Sequence, residues 1–347
     1  MNKSTLRRFA IGVAVVALVV AMVFPRTNIG QRLLSGGPGP VPGPIPRPLP
    51  GTIAPAPKLK VAFIGDSSAG PDFQRVLALI RGEHSDAVVH LGDATYEGDT
   101  PEKFWEVVDR ELGHDFPYFL AEGNHDAAQW PGLSSHALEH ARKAGAVTGE
   151  TSVADPRFAA IYKGVSLVFL GQAVNDDDPR YIIDRFSRDQ HIWKICGWHK
   201  NQTALQLGGK GNGMGWGVYE SCRQMGALIM TGHEHSYHRT RTLANMVEQE
   251  VDGTCSDASH LCAGPGAVPV FVSGLGGRSI RVQGRCLPSV YPYGCKGEWA
   301  FAYTSTQQAQ FGALFITFDP EGDPRKAHGY FRTIDGKVVD QFELTAR

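Results

Sequence analysis

Four times along the chain a short apolar run breaks off beside a glycine, and side chains rich in oxygen and nitrogen follow at once. The four stretches are Phe63-Ile64-Gly65-Asp66, Val88-Val89-His90-Leu91-Gly92-Asp93 with Tyr96 close behind, Leu120-Ala121-Glu122-Gly123-Asn124-His125-Asp126, and Ile229-Met230-Thr231-Gly232-His233-Glu234-His235. An apolar, β-branched run of this length reads as a buried strand, and polar groups at its carboxyl end lie where open α/β sheets build their sites. A single Gly-Asp step is ordinary turn chemistry. Four such ends in one chain require a fold that gathers strand ends in one place. Within the last stretch His233 and His235 alternate, so in extended chain they point to one side.

The segments between these ends fit that requirement. Leu59 to Ile64 reads as a strand, and Phe73, Val76, Leu77 and Ile80 mark one face of a helix over Pro71 to Arg81. Asp86 to Leu91 is a second strand. Pro101 to Leu112 is a helix with Thr100 as its cap and proline at its first position. Pro117 to Ala121 is a third strand, and the alternation argues for βαβ units. Further apolar runs lie at Ser166 to Leu170, Ile192 to Gly197, Ala227 to Met230 and Val268 to Val272. Gly312 to Phe318, Ala327 to Thr333 and Lys337 to Leu344 read as a meander with Asp335-Gly336 as a hairpin turn. The expected architecture is α/β, a two-sheet β-sandwich flanked by helices over residues 59–347.

Before it come residues of another kind. Residues 1–8 carry Lys3, Arg7 and Arg8, and residues 9–24 are uncharged and apolar. About 16 helical residues cover roughly 24 Å, a little short of a hydrocarbon core, so the segment is a short transmembrane anchor or the core of a signal peptide. Val20-Ala21-Met22-Val23-Phe24-Pro25 is a poor cleavage sequence, which favours the anchor. Either way the basic start stays inside and the rest leaves the cytoplasm. Residues 25–58 are rich in proline and glycine and read as a stiff, extended linker.

All six cysteines lie between Cys196 and Cys295. An even number in an exported chain points to disulfides, and the short loops favour Cys255 with Cys262 and Cys286 with Cys295, leaving Cys196 for Cys222. The charge balance, 34 Lys and Arg against 35 Asp and Glu, gives no support for nucleic-acid binding. No Gly-x-Ser-x-Gly elbow is present, so a serine hydrolase is not indicated. Gly208 to Gly215 lacks the Gly-Lys-Ser/Thr ending of a phosphate loop and reads as a mobile loop.

Carboxylate, amide, phenol and imidazole without thiolate is a donor set for hard cations. Asp66, Asp93, Tyr96, Asn124, His199, His233 and His235 supply it, with His199 following the run Ile195-Cys196-Gly197-Trp198. In order, these blocks resemble those of the calcineurin-like metallophosphoesterases, and Tyr96 resembles the ligand that marks the purple acid phosphatase branch. The resemblance implies that Asp66, Asp93, Tyr96 and His235 bind a first metal, typically Fe(3+). Asp93, Asn124, His199 and His233 would bind a second, Fe(2+), Zn(2+) or Mn(2+). His125 would be the acid that faces the leaving group, oriented by Asp126. The implied reaction is hydrolysis of a small phosphate ester by water activated on the metal pair, with phosphodiester or nucleotide cleavage as the alternative and a non-catalytic envelope protein behind it.

Two positions depart from that pattern. Ser68 stands where the first block carries glycine, or in non-purple relatives a histidine ligand, and Lys200-Asn201 follow His199 where proline is usual. Lys200 and Asn201 are therefore candidate contacts to substrate phosphate. His90 reads as packing within its strand. Tyr237 and Arg239 either border the pocket or support the ligands, and His136 and His140 read as one face of an exposed helix.

Overall fold

The computed structural model describes residues 52–148 and 155–347. The expected cytoplasmic start at 1–8, the apolar segment at 9–24 and residues 25–51 of the linker lie outside them. No helix among the described residues is long and apolar enough to cross a membrane.

The chain runs β1 (Leu59–Ile64), α1 (Pro71–Gly82), β2 (Ala87–His90), α2 (Pro101–Leu112), β3 (Tyr118–Leu120), α3 (Trp130–Lys143), β4 (Val147–Thr148), β5 (Phe158–Tyr162) and β6 (Val165–Phe169). It continues with α4 (Asp178–Phe186), β7 (Trp193–Trp198), α5 (Trp216–Met225), β8 (Leu228–Thr231), β9 (Tyr237–Thr240), β10 (Leu243–Asn245), β11 (Glu250–Val251), β12 (His260–Ala263) and β13 (Val270–Ser273). The last strands are β14 (Trp299–Tyr303), β15 (Gly312–Phe318), β16 (Lys326–Thr333) and β17 (Val338–Ala346).

Two mixed sheets form the body. One has seven strands in the order β12-β17-β16-β15-β1-β2-β3, and the other has eight in the order β14-β9-β13-β8-β7-β6-β5-β4. β1, β2 and β3 are parallel neighbours, as are β6, β7, β8 and β13. The C-terminal meander β15-β16-β17 is antiparallel and joins β1 along its other edge.

The two-residue period of β1 explains the layering. Leu59, Val61 and Phe63 enter a core shared with β6, β7, β8 and β13 of the other sheet, whereas Ala62 and Ile64 enter a second core against α1, α2 and α3. β1 therefore reads as a continuous apolar run because both of its faces are covered. The expected helix face, Phe73, Val76, Leu77 and Ile80, is buried in the second core. In α2 the Thr100 side chain accepts from the Lys103 N–H and Gly113, at φ 100°, follows the last turn. In the other sheet α5 packs on β7 and β8, and α4 packs on α5.

The sequence reading placed the start of the folded part at Leu59, and the structure begins it earlier. Ile53 pairs with His191, the Ala56 N–H donates to the Lys163 carbonyl and the Lys58 N–H to that of Asp319. Residues 53–58 are thus docked on the body by backbone hydrogen bonds that alternate prolines do not block. The three disulfides are Cys196–Cys222, Cys255–Cys262 and Cys286–Cys295, as the loop lengths suggested.

Candidate metal centre

The carboxyl ends of β1, β2 and β3 meet those of β7 and β8 across the junction of the two sheets. Asp66 follows β1, Asp93 follows β2, Asn124 and His125 follow β3, His199 follows β7, and His233 and His235 follow β8. Asp66, Asp93 and His233 have φ of 57°, 57° and 69°. This left-handed conformation turns each side chain sharply out of its strand, and Asp tolerates it better than most residues. The turns are bound together by their backbones: the Asp66 N–H donates to the Gly92 carbonyl and the Ser67 N–H to that of Asp93.

Asp93 is the meeting point. One of its oxygens lies 3.1 Å from both the Tyr96 hydroxyl and His199 Nε2, and the other accepts the His125 N–H at 2.9 Å. The Tyr96 hydroxyl is also 3.4 Å from Asp66 Oδ1 and 3.3 Å from His235 Nε2. Asp66 Oδ1 and His235 Nε2 are 3.2 Å apart, and His233 Nδ1 is 3.1 Å from His199 Nε2. Two groupings result, Asp66-Asp93-His235 and Asp93-His199-His233, each with donor atoms within 4.8 Å of one another and with Asp93 common to both. Asn124 Oδ1 is buried and makes no hydrogen bond among the described residues. A third grouping, Cys286, Cys295 and Glu298, contains a disulfide and so offers no thiolate.

The outer atoms of the histidines are already committed. His199 Nδ1 lies 2.8 Å from the Leu91 carbonyl, which fixes the proton there and leaves Nε2 facing the cleft. His235 Nδ1 is held at 2.5 Å by the Ser279 hydroxyl, which turns its Nε2 toward Asp66. Burial alone would raise the Asp93 carboxyl, but His199 beside it and the His125 N–H hold it below its ordinary value. Burial and the Asp66 and Asp93 carboxylates push the Tyr96 phenol far above its usual range. Burial draws His233 down to about 3, helped by His199 and Lys210. The donors fit two hard cations sharing Asp93: oxygen and imidazole ligands only, an orphaned amide oxygen, and inward-facing imidazole nitrogens.

Several expected roles come out differently. Asp126 does not reach the His125 ring. Its buried carboxylate accepts from the N–H groups of Ala94, Thr95 and Gly123 and from the Thr95 hydroxyl, so it ties the Asp93 turn to the Asn124 turn. Burial, with Asp93 nearby, raises its pKa to about 6. His125 is exposed, its ring 4.4 Å from that of Tyr96. Asn201 is fully buried and its amide nitrogen donates to the Gly232 carbonyl at 2.6 Å, while Lys200 donates to Gln172 at 2.8 Å. Both are engaged in supporting their loops.

Ser68 donates to Asp99 at 2.6 Å, and the same carboxylate oxygen accepts the Tyr96 N–H, so the departure from the first block helps to seat Tyr96. Tyr237 and Arg239 both bind Asp340 of β17, which settles them as supports. His140 is buried between the Phe116 carbonyl and Asp109 and stacks on Trp105, a packing position where an exposed one was expected. His90 packs as expected, fully buried with Nε2 2.9 Å from the Ser67 hydroxyl.

The Gly208–Gly215 loop, expected to be mobile, is tied down. The Lys210 carbonyl accepts from Gln206 and Thr203, the Thr203 N–H donates to Asn212, and the Gly213 N–H to the Asn201 carbonyl. Lys210 itself reaches His233. From another quarter Arg278 lies over the Tyr96 ring, 4.6 Å from its centroid. The sequence reading singled out neither cation. The signal for Arg278 was present, because Ser273-Gly274-Leu275-Gly276-Gly277-Arg278 is one more apolar strand ending in glycines and a polar side chain.

No curated protein matches the sequence. Among solved structures the chain is similar to purple acid phosphatase PPD1 of yellow lupin, Lupinus luteus, at 17% identity and a TM-score of 0.61, over 84% of this chain and 55% of that one. It is similar to PhoD at 11% identity and a TM-score of 0.56, over 86% and 72% of the two chains. It is also similar to GAP50 of Plasmodium at 11% identity and a TM-score of 0.50, over 84% and 90%. At such identities the likeness is one of fold, and this chain spans little more than half the length of the lupin protein. The family described as calcineurin-like phosphoesterase matches residues 59–237, just over half of the chain and the part that carries every donor named above. With that match and those donors gathered at the strand ends, the chain belongs to the family of calcineurin-like phosphoesterases.

Proposed function

We propose that this chain is a phosphomonoesterase of the purple acid phosphatase type, acting through two metal ions outside the cytoplasm. Asp66, Asp93, Tyr96 and His235 hold the first ion, Fe(3+), and Asp93, Asn124, His199 and His233 hold the second, Fe(2+), Zn(2+) or Mn(2+). The observation that carries this reading is the position of Asp93, whose one carboxylate belongs to both donor groupings. When bound, the ions supply positive charge to the phosphoryl oxygens and make a water acidic enough to attack phosphorus. The chain supplies the geometry. Leu91 and Ser279 fix the outward atoms of His199 and His235, so neither imidazole turns away during the reaction. His125, exposed at the mouth with its N–H fixed on Asp93, is the group able to hand a proton to the leaving oxygen. Three disulfides and the apolar segment at 9–24 support an exported protein tethered at its N-terminus.

Metal content and the visible spectrum of a soluble piece from residue 52 onward test the reading. Two ions per chain and a violet charge-transfer band, lost in Tyr96→Phe, are expected. A colourless, active protein would remove the iron and the purple assignment and keep the family. Comparing an aryl phosphate with its bis-aryl diester tests the substrate class, and preference for the diester would favour a phosphodiesterase or nucleotidase with the same ligands. A second reading follows from GAP50, whose description is that of the anchor in the inner membrane complex of Plasmodium. A non-catalytic role on a stalk predicts metal uptake without turnover of either ester.

A further inference from the structure

Two cations outside the ligand blocks reach the centre, one beside each donor grouping. Lys210 lies beside the Asp93-His199-His233 group: its ammonium is 3.0 Å from His233 Nδ1 and also donates to the His233 carbonyl. Its loop is held by the hydrogen bonds of Gln206 and Thr203 to the Lys210 carbonyl, at 2.7 and 3.2 Å. Gly208 leaves no room for the loop to drop further, since a Cβ there would lie 1.9 Å from the Glu234 carboxyl carbon.

Arg278 lies beside the Asp66-Asp93-His235 group. Its N–H donates to the Asp66 carbonyl at 2.9 Å, and its guanidinium covers the Tyr96 ring at 4.6 Å while remaining exposed to solvent. Neither cation forms a salt bridge among the described residues. An ammonium and a guanidinium set beside a cation-binding cleft repel its contents unless an anion lies between them. Once His233 Nδ1 is taken by a metal it no longer accepts from Lys210, and a phosphoryl oxygen is the acceptor the same place would offer.

We propose that Lys210 and Arg278 form a two-sided clamp on the phosphoryl group and set a preference for dianionic phosphate monoesters over monoanionic diesters. The proposal rests on the reading of the cleft as a metal-dependent phosphoesterase site. A monoester near neutral pH carries close to two negative charges and a diester one, so two added positive charges favour the monoester more. The clamp involves neither Lys200 nor Asn201.

The test uses the full chain and the variants Lys210→Met and Arg278→Met, with metal content, binding of inorganic phosphate, and kcat/KM on an aryl phosphate and its bis-aryl diester at pH 7. Each variant is expected to keep both metals and to lose about 10- to 100-fold in phosphate affinity and in monoester kcat/KM. The loss on the diester is expected to be smaller, so the monoester-to-diester ratio falls. Arg278 is exposed, so its variant gives a clean answer even if the Lys210 variant folds poorly. Unchanged phosphate affinity and an unchanged ratio in Arg278→Met would overturn the clamp, and loss of metal in that variant would reassign the cation to holding the centre. If the native chain binds metal and hydrolyses neither ester, the catalytic reading fails while the phosphate-binding comparison still decides the clamp.

Discussion

At Gly123 the turn after β3 comes so close to Asp93 that a Cβ would lie 2.0 Å from the Asp93 nitrogen and 2.2 Å from its carboxylate. Gly92, at φ +86°, meets Gly123 from the other side, with room for a Cβ only 2.8 Å from its Cα. The two glycines allow the Asp93 and Asn124 turns to touch, and the Asp126 carboxylate then fastens them. Gly123→Ala is therefore expected to part the two turns and weaken metal binding about 10- to 100-fold, measured by metal content across a chelator series. Full retention of metal by that variant would show that the close approach is dispensable. His125 behaves differently, because its side chain is exposed and makes no hydrogen bond to a proposed ligand side chain among the described residues. His125→Ala is expected to lower kcat by roughly 10²- to 10⁴-fold with metal content unchanged, and equal rates with and without the imidazole would remove its role as acid.

Among elements, the link between β9 and β17 matters most, because it joins the eight-stranded sheet to the seven-stranded one. Arg239 makes two parallel hydrogen bonds to Asp340, at 2.7 and 2.8 Å, and the Tyr237 hydroxyl adds a third at 2.7 Å. Arg239 and Asp340 have side chains only 3% and 4% exposed, so removing one strands the other's charge away from water. Asp340→Ala is expected to cost about 3–5 kcal/mol, seen as a fall of roughly 10 °C in Tm. A Tm within a degree or two of the native value would mean that water replaces the carboxylate there. Tyr237 and Arg239 follow His235 by two and four residues. The strand that begins just after a proposed ligand is thus anchored to β17 of the other sheet.

For the molecule as a whole, a buried neutral histidine makes stability depend on acid. His238 is fully buried, with Nδ1 3.1 Å from the Ser236 hydroxyl and its ring edge-on to Trp299, and burial draws its pKa down to about 3. In the unfolded chain a histidine titrates near 6.5. Between about pH 6.5 and 3 the unfolded state therefore holds a proton that the folded state refuses, and stability falls as pH falls. The slope from this one group is about 1.4 kcal/mol per pH unit, and the contribution is fully present above pH 6.5. Denaturant unfolding of the native chain and of His238→Gln across that range checks it, with a shallower acid limb expected in the variant. Parallel curves would show that His238 does not carry the dependence.

By itself the sequence determined the strands and helices whose apolar period is strict, the two helix starts marked by proline, and the polar side chains that stand at the strand ends; for the cysteines it favoured a pairing through two short loops without fixing it. Those features are local, set by side chains a few residues apart. Only the tertiary structure decided how close the donors around Asp93 come, that Asp126 braces two turns and leaves the His125 ring alone, and that Asn201 is buried. It alone brought Lys210 and Arg278, 68 positions apart in the chain, to the same cleft. The physical reason is that each of these depends on how two sheets meet: close approach of glycine backbones, burial that takes water away from a carboxylate, and loops from distant strands landing on one another. Sequence spacing carries no record of such contacts until the chain has folded.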